Sequence, residues 1–375
     1  MSSHHPAPRR ALSALTGLGL AVVLAVTGAS ATTPAQADSP ASATGTRATG
    51  PTAPTARESR IVRRAVTFDV VNTNESSVAC TSDRGSYTLR GTLVGSRRAV
   101  SGADGGGRIN VLVHDVGTGG WFWQAPQRAY DYAGALARRG ELTLVLDRLG
   151  YDGSPLDDGR ATCLGAQADM LHQVIQRLYA GNYAFADGRG IAPPHALHVV
   201  VHGHAVGAAI AQLEAADHDD VDGLVLMSWS DTNASQRAVQ EAGRQTLTCL
   251  GGASYASYGE TANDFASLLF ADAVPSVLRR ATALRNAVPC GDVTSLSGLL
   301  LASLATTGRI EVPVLLLFGS EDALNRPGSA DRQAARFGAS PSVTTRTFAG
   351  VGSALPLERK APQVQRTVLR WLDRH

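Results

Sequence analysis

Short, almost unbroken apolar runs recur along this chain, separated by longer stretches whose apolar residues repeat every three or four positions. The runs at 109–113, 142–146, 197–201, 223–227 and 312–318 are too continuous for strands with one wet face. They read as strands covered on both sides, as in a parallel sheet. Between them, 161–179 places Leu164, Ala168, Leu171, Ile175 and Leu178 on one helical face. Further helices are predicted at 127–139, at 208–213, near 327–337 and from Pro356 onward. Two alternating segments, 62–71 and 86–94, predict antiparallel strands that lead into the sheet, and 343–348 predicts a closing strand. Strand–helix alternation of this kind builds an α/β fold, a doubly wound, mostly parallel sheet flanked by helices. The alternation stops between 229 and about 308. That interval holds helical fragments and no clear buried strand, which predicts a cap, or lid, inserted over the carboxyl ends of the strands, where ligands bind in such sheets.

The first sixty residues follow another pattern. Arg9-Arg10 precede an apolar, small-residue stretch from Ala11 to Ala31, and Ala35-Gln36-Ala37 fits a signal-peptidase site. Residues 1–37 are therefore expected to be a cleaved signal peptide for a secreted protein. A retained membrane anchor is the alternative, disfavoured by the glycines and threonines within the apolar stretch. The paired arginines leave both general and twin-arginine export open. Residues 38–60, rich in Ala, Ser, Thr, Pro and Gly, read as a flexible linker to a domain spanning 61–375.

Cleavage at 37 removes two arginines and no acids, taking the net charge from +2 to 0. A neutral chain without a basic run excludes nucleic acid as a partner, and no membrane span is expected after cleavage. All four cysteines lie in the exported part, so two disulfides are expected. Of three possible pairings, Cys249–Cys290 and Cys80–Cys163 are favoured, the first stapling the insertion. No Cys/His spacing predicts zinc and no motif predicts a cofactor.

The centre of the pattern is His202-Gly203-His204-Ala205-Val206-Gly207, at the end of the 197–201 strand. Gly-x-x-x-Gly between a buried strand and a small-residue helix is the outline of a nucleophile elbow. Four other motifs stand in order around it. They are His114-Asp115-Val116, Asp147-Arg148-Leu149-Gly150-Tyr151-Asp152-Gly153-Ser154, Phe318-Gly319-Ser320-Glu321-Asp322 and the stretch from Gly350 to Glu358. Together they make the span 86–375 resemble the α/β-hydrolase family, in particular secreted esterase-like and lipase-like members from actinobacteria.

The resemblance implies a serine nucleophile, a histidine base and a carboxylate that orients it. At those three positions this chain has Ala205, Ser353 and Asp322. Only the acid is left, and no histidine lies between His218 and His375. The oxyanion hole implied by the family would use backbone N–H groups at Val116 and Val206, beside Asp115 where the family pattern has glycine. An ionised carboxylate there would oppose developing negative charge.

Other groups are candidates for the space around Ala205. Ser230 and Asp231 follow the strand at 223–227 and face the expected pocket, Asp231 being an alternative acid. His114 could border the pocket or brace the oxyanion turn. Trp121, in Trp121-Phe122-Trp123, could line a ligand pocket or anchor its loop. His202 and His204 read as core histidines before they read as metal ligands. The chain is thus expected to be a non-catalytic pseudo-hydrolase that binds a small apolar or ester-like ligand under the cap, or a partner, with no oligomeric state implied. The alternative is an active secreted carboxylic-ester hydrolase with an unconventional site drawn from His202 or His204, Asp322 and Ser353.

Overall fold

The computed structural model describes residues 60–375, apart from 189 and 191. The expected signal peptide and nearly all of the expected linker lie outside the described residues. Two long antiparallel strands come first, β1 (Ile61–Val71) and β2 (Ser86–Ser96), followed by a short helix α1 (Arg97–Val100). The alternating core then runs β3 (Gly107–Val113), α2 (Tyr132–Ala137), β4 (Leu142–Asp147), α3 (Leu164–Ala180), β5 (Ala184–Phe185), β6 (Ala196–His204), α4 (Val206–His218) and β7 (Gly223–Met227). An interval of helices follows: α5 (Gln236–Leu250), β8 (Tyr255–Ser257), α6 (Ala262–Leu269), α7 (Pro275–Ala283), β9 (Ala287–Pro289) and α8 (Cys290–Thr306). The chain closes with β10 (Val314–Gly319), α9 (Ser329–Ala334), β11 (Val343–Phe348) and α10 (Ala361–Leu372).

Among the described residues the main sheet has nine strands in the order β11-β10-β7-β6-β3-β4-β2-β1-β5. β4, β3, β6, β7, β10 and β11 are mutually parallel, and β2, β1 and β5 continue the sheet in antiparallel fashion. The apolar runs occupy the middle, where Val111, Leu112, Val201, Leu224 and Leu316 are buried. From β3 the chain moves to one neighbour, β4, and later returns to the other, β6. Ligands bind at such a reversal because the connections leave in opposite directions and open a crevice at the strand ends. Asp115 follows β3 and Ala205 follows β6, so topology alone brings them together.

Several boundaries differ from those the pattern predicts. The helix expected at 127–139 is confined to α2, because the Asp131 carboxylate accepts the Gly134 N–H at 3.1 Å and starts the helix there. α3 begins at Leu164 and α9 at Ser329, and the last helix begins at Ala361, after a separate turn at Leu355–Leu357. The cap interval contains two strands that were not expected, β8 and β9, paired antiparallel. Three residues each are too few to show alternation. The last helix of that interval, α8, packs on α3 and α4 as well as on α5.

Both favoured cysteine pairings are present, Cys80–Cys163 and Cys249–Cys290. Closing loops of 83 and 41 residues stabilises the fold by on the order of 4 kcal/mol each in the chain-entropy picture. No helix among the described residues is long and apolar enough to cross a membrane.

Candidate functional site

The elbow has the geometry its glycines imply. Ala205 adopts φ 46° and ψ −116°, a left-handed conformation that an L-residue holds only under constraint. Its N–H donates to the Met227 carbonyl at 2.8 Å. A Cβ at Gly203 would lie 2.3 Å from Ala208 Cα, and one at Gly207 would lie 2.4 Å from the Val113 carbonyl oxygen. β6, β3 and α4 approach this closely only because both positions are bare. The side chain at the apex is a methyl group.

The oxyanion side of the site is filled from within. Asp115 turns its carboxylate to the amino terminus of α4, where Oδ1 accepts the Val206 N–H at 3.0 Å. This is the backbone donor expected to hold a substrate oxyanion. A helix N-terminus favours an anion through its free N–H groups and its dipole, and here that anion is resident. The other oxygen, Oδ2, is buried without a hydrogen-bond partner.

His114 holds this turn in place. It lies fully buried between two backbone partners, Nδ1 donating to the Asp115 carbonyl at 2.8 Å and Nε2 accepting the Arg148 N–H at 3.2 Å. Burial keeps its pKa well below the ordinary value, so the ring is neutral.

Ser353 and Asp322 stand apart in function. Ser353 is fully buried, and its carbonyl accepts both His204 Nε2 and Ser228 Oγ at 3.0 Å. Its hydroxyl lies 3.2 Å from the same His204 nitrogen. His204 stacks on Phe122, burial lowers its pKa, and its Nδ1 has no partner. Asp322 meets no histidine. Its oxygens accept the Leu324 N–H at 2.9 Å and the Asn325 amide at 3.0 Å.

Burial pushes the Asp322 carboxyl up to about 6 from an ordinary 3.8. An acid whose folded pKa is raised favours folding below its unfolded pKa, and that contribution is lost as pH rises through the folded value. Between pH 4 and 7 the ionised carboxylate should therefore cost on the order of 3 kcal/mol. Buried neutral His114 and His202 act with the opposite sign, so the difference between two proteins is the useful quantity. Asp322→Asn should gain stability relative to the unmodified chain as pH rises from 4 to 7, measured by urea unfolding. A pH-independent difference would refute this.

A cavity of about 150 Å³ opens above Ala205. Its floor is Ala205, Val206, Val116 and Asp115, and its roof is Ala238, Val239 and Ala242 of α5, Leu296 and Leu300 of α8, and Tyr258. Ser228 and Ser230 reach it from the end of β7, and the Ser230 hydroxyl has no partner. Of the four candidates for the space around Ala205, His114, Trp121, Ser230 and Asp231, Ser230 borders this cavity. His114 is withdrawn into the oxyanion turn, and Trp121 belongs to a separate aromatic cluster with Phe122 and Trp123. Asp231 is absorbed by a buried network in which Gln212, Trp229, Thr307 and Gln333 all donate to its carboxylate. His202 is a core residue between the Tyr132 hydroxyl at 2.8 Å and Asn110 Oδ1 at 3.0 Å, with its pKa lowered to about 3 by burial.

Pattern reading missed Asp292. It takes Arg148 Nη1 at 3.0 Å and the Tyr151 hydroxyl at 2.9 Å, fully buried, and fastens the start of α8 to the turn after β4. Asp147-Arg148 belongs to a motif of its own in the sequence, and no local spacing links it to position 292.

A sheet of this order with an elbow after β6 defines a hydrolase scaffold. The alpha/beta hydrolase family model matches residues 111–364, and the chain belongs to that family. Among solved structures it is similar to an esterase from Thermogutta terrifontis, at 18% identity and TM-score 0.55, covering 82% of this chain and 98% of that one. It is also similar to a monoacylglycerol lipase from Paleococcus ferrophilus, at 18% identity and TM-score 0.52, covering 84% and 98%. An esterase from Exiguobacterium antarcticum matches at 15% identity and TM-score 0.54, covering 80% and 99%. These likenesses are of fold. No curated protein matches the chain.

Proposed function

We propose that this protein is an exported, non-catalytic member of its family that binds a small, mainly apolar molecule in the cavity above Ala205. The observation that carries the reading is the hydrogen bond from Val206 N–H to Asp115 Oδ1. A hydrolase needs that N–H free for the developing oxyanion. Here it is spent on a fixed carboxylate, beside a position that carries no nucleophile. The loss of a triad member alone costs roughly 10⁴- to 10⁶-fold in comparable hydrolases.

The same geometry narrows the ligand class. An engineered apolar cavity of about 150 Å³ holds a benzene-sized molecule, and the unpartnered Asp115 Oδ2 and Ser230 hydroxyl offer places for a donor. An alcohol of that size suits the site better than an ester, whose carbonyl would face the carboxylate. Short p-nitrophenyl esters should therefore be hydrolysed no faster than in buffer, while cyclohexanol raises the thermal midpoint more than cyclohexyl acetate does. Turnover abolished by a serine-reactive inhibitor would overturn the reading, as would equal stabilisation by both compounds.

The 3.2 Å approach of Ser353 Oγ to His204 Nε2 favours a second reading, an unconventional hydrolytic pair. That nitrogen is also engaged with the Ser353 carbonyl, and neither residue borders the cavity. The pair predicts ester turnover that disappears in His204→Ala and Asp322→Ala.

A further inference from the structure

The carboxyl-terminal end of α4 lies away from the elbow and carries a polar cluster that the binding site does not use. Glu214 is completely buried, yet neither of its carboxylate oxygens has a hydrogen-bond partner. A carboxylate removed from water without compensation is among the most costly arrangements a fold can hold. Two other groups turn toward it. His172, on α3, places Nδ1 3.7 Å from Glu214 Oε1 and 2.8 Å from Asp220 Oδ2. In spite of the shorter distance, Nδ1 makes no hydrogen bond, and Asp220 Oδ2 accepts instead from the Gln176 amide at 2.6 Å. The ring of His218 stacks on that of His172 with centroids 3.7 Å apart and holds its plane.

We propose that His172 Nδ1, Glu214 and Asp220 bind a divalent transition-metal ion, of which Zn2+ is the best match. One ligand atom from each residue lies within 4.8 Å of the others. Ligand atoms about 2.0–2.2 Å from a tetrahedral zinc are themselves roughly 3.3 Å apart, which falls between the two distances from His172 Nδ1. An imidazole with two carboxylates suits Zn2+ and its transition-metal neighbours, whereas Ca2+ and Mg2+ prefer oxygen donors alone. His172 and Asp220 are partly exposed, which gives the ion a route in and leaves room for water as a fourth ligand. The ion would tie α3 to the end of α4 and to the turn before β7. Without it, burial pushes the Glu214 carboxyl well above the usual carboxylate range, with Asp220 adding to the shift.

The three donors come from two helices and a turn, with no recognisable local spacing, which is why no motif announced them. The test uses the untagged full chain, stripped with a chelator and titrated calorimetrically with Zn2+ alone, and with Co2+ as a spectroscopic probe of coordination. One Zn2+ per chain and tetrahedral Co2+ absorption bands are expected, together with a rise in thermal midpoint. Glu214→Gln and His172→Asn should each weaken Zn2+ by more than the roughly 10- to 100-fold that loss of an outer partner costs. If Glu214→Gln does not fold, the more exposed His172→Asn and Asp220→Asn decide the question. Absence of Zn2+ uptake would overturn the proposal, as would uptake unchanged in the variants that fold.

Discussion

Asp292→Ala is expected to destabilise the protein by about 3–5 kcal/mol, the range for breaking a buried ion pair by removing one partner. The pair gives little room for compromise. Arg148 is buried with Nε and Nη2 already lacking partners, and its charge rests on Asp292 and on the Tyr151 ring, 4.4 Å from the guanidinium carbon. Deleting the carboxylate strands a cation in the interior and frees the Tyr151 hydroxyl. Urea unfolding at neutral pH should show the loss, with tryptophan fluorescence as the probe. The double variant Arg148→Met with Asp292→Leu should recover much of it, because an apolar pair of similar size avoids the desolvation penalty. If the double variant is no better than the single one, the cost lies in the geometry of the α8 junction and not in the charge.

The second large effect concerns chemistry. Ala205→Ser alone should leave ester hydrolysis at the buffer rate, because a lone serine has no base. Adding Ser353→His supplies a histidine at the position the family uses, but the Asp115 carboxylate still occupies Val206 N–H. Asp115→Gly in that background should then raise kcat/KM for p-nitrophenyl acetate by roughly 10²- to 10³-fold, the usual worth of one oxyanion-hole donor. The comparison of double and triple variants carries the information. Equal rates in the two would mean that Asp115 does not block the hole.

Much of the scaffold was legible in the sequence because its signals are physically independent. Continuous apolar runs mark β3, β4, β6, β7 and β10, since strands covered on both faces admit few polar side chains. Gly203 and Gly207 mark the elbow because the backbones leave no space for a Cβ. The two cysteine pairings were legible because an even set of four lies behind an expected signal peptide, where Cys249–Cys290 closes the insertion.

The site was only half legible. That Ala205 and Ser353 replace reactive groups can be read from letters in order. That Asp115 turns inward onto α4 is a matter of rotamer, which no spacing encodes. Asp231 was placed correctly beyond β7, yet its carboxylate faces Gln212 and Gln333 rather than the cavity, because four donors compete for it there. For His114 and Trp121 the sequence left pocket and bracing roles both open, and the structure has His114 bracing its turn and Trp121 packed against Phe122. Asp292 and Glu214 escaped notice since each is ordinary among its sequence neighbours and exceptional only in what surrounds it in space.

The Cys249–Cys290 bridge has a kinetic consequence. It joins the last turn of α5 to the first residue of α8, and those helices supply most of the roof over the cavity. Such a roof cannot hinge upward as a single flap, since lifting α5 would drag α8 away from α3 and α4. If the cavity binds the ligand proposed for it, a guest would instead pass between side chains at the rim, where Val239 is largely exposed and Leu300 half-buried. Exchange is then paced by rotamer motion on the fast end of the protein timescale. Residence would depend on how well a guest fits, with no closing movement to retain it.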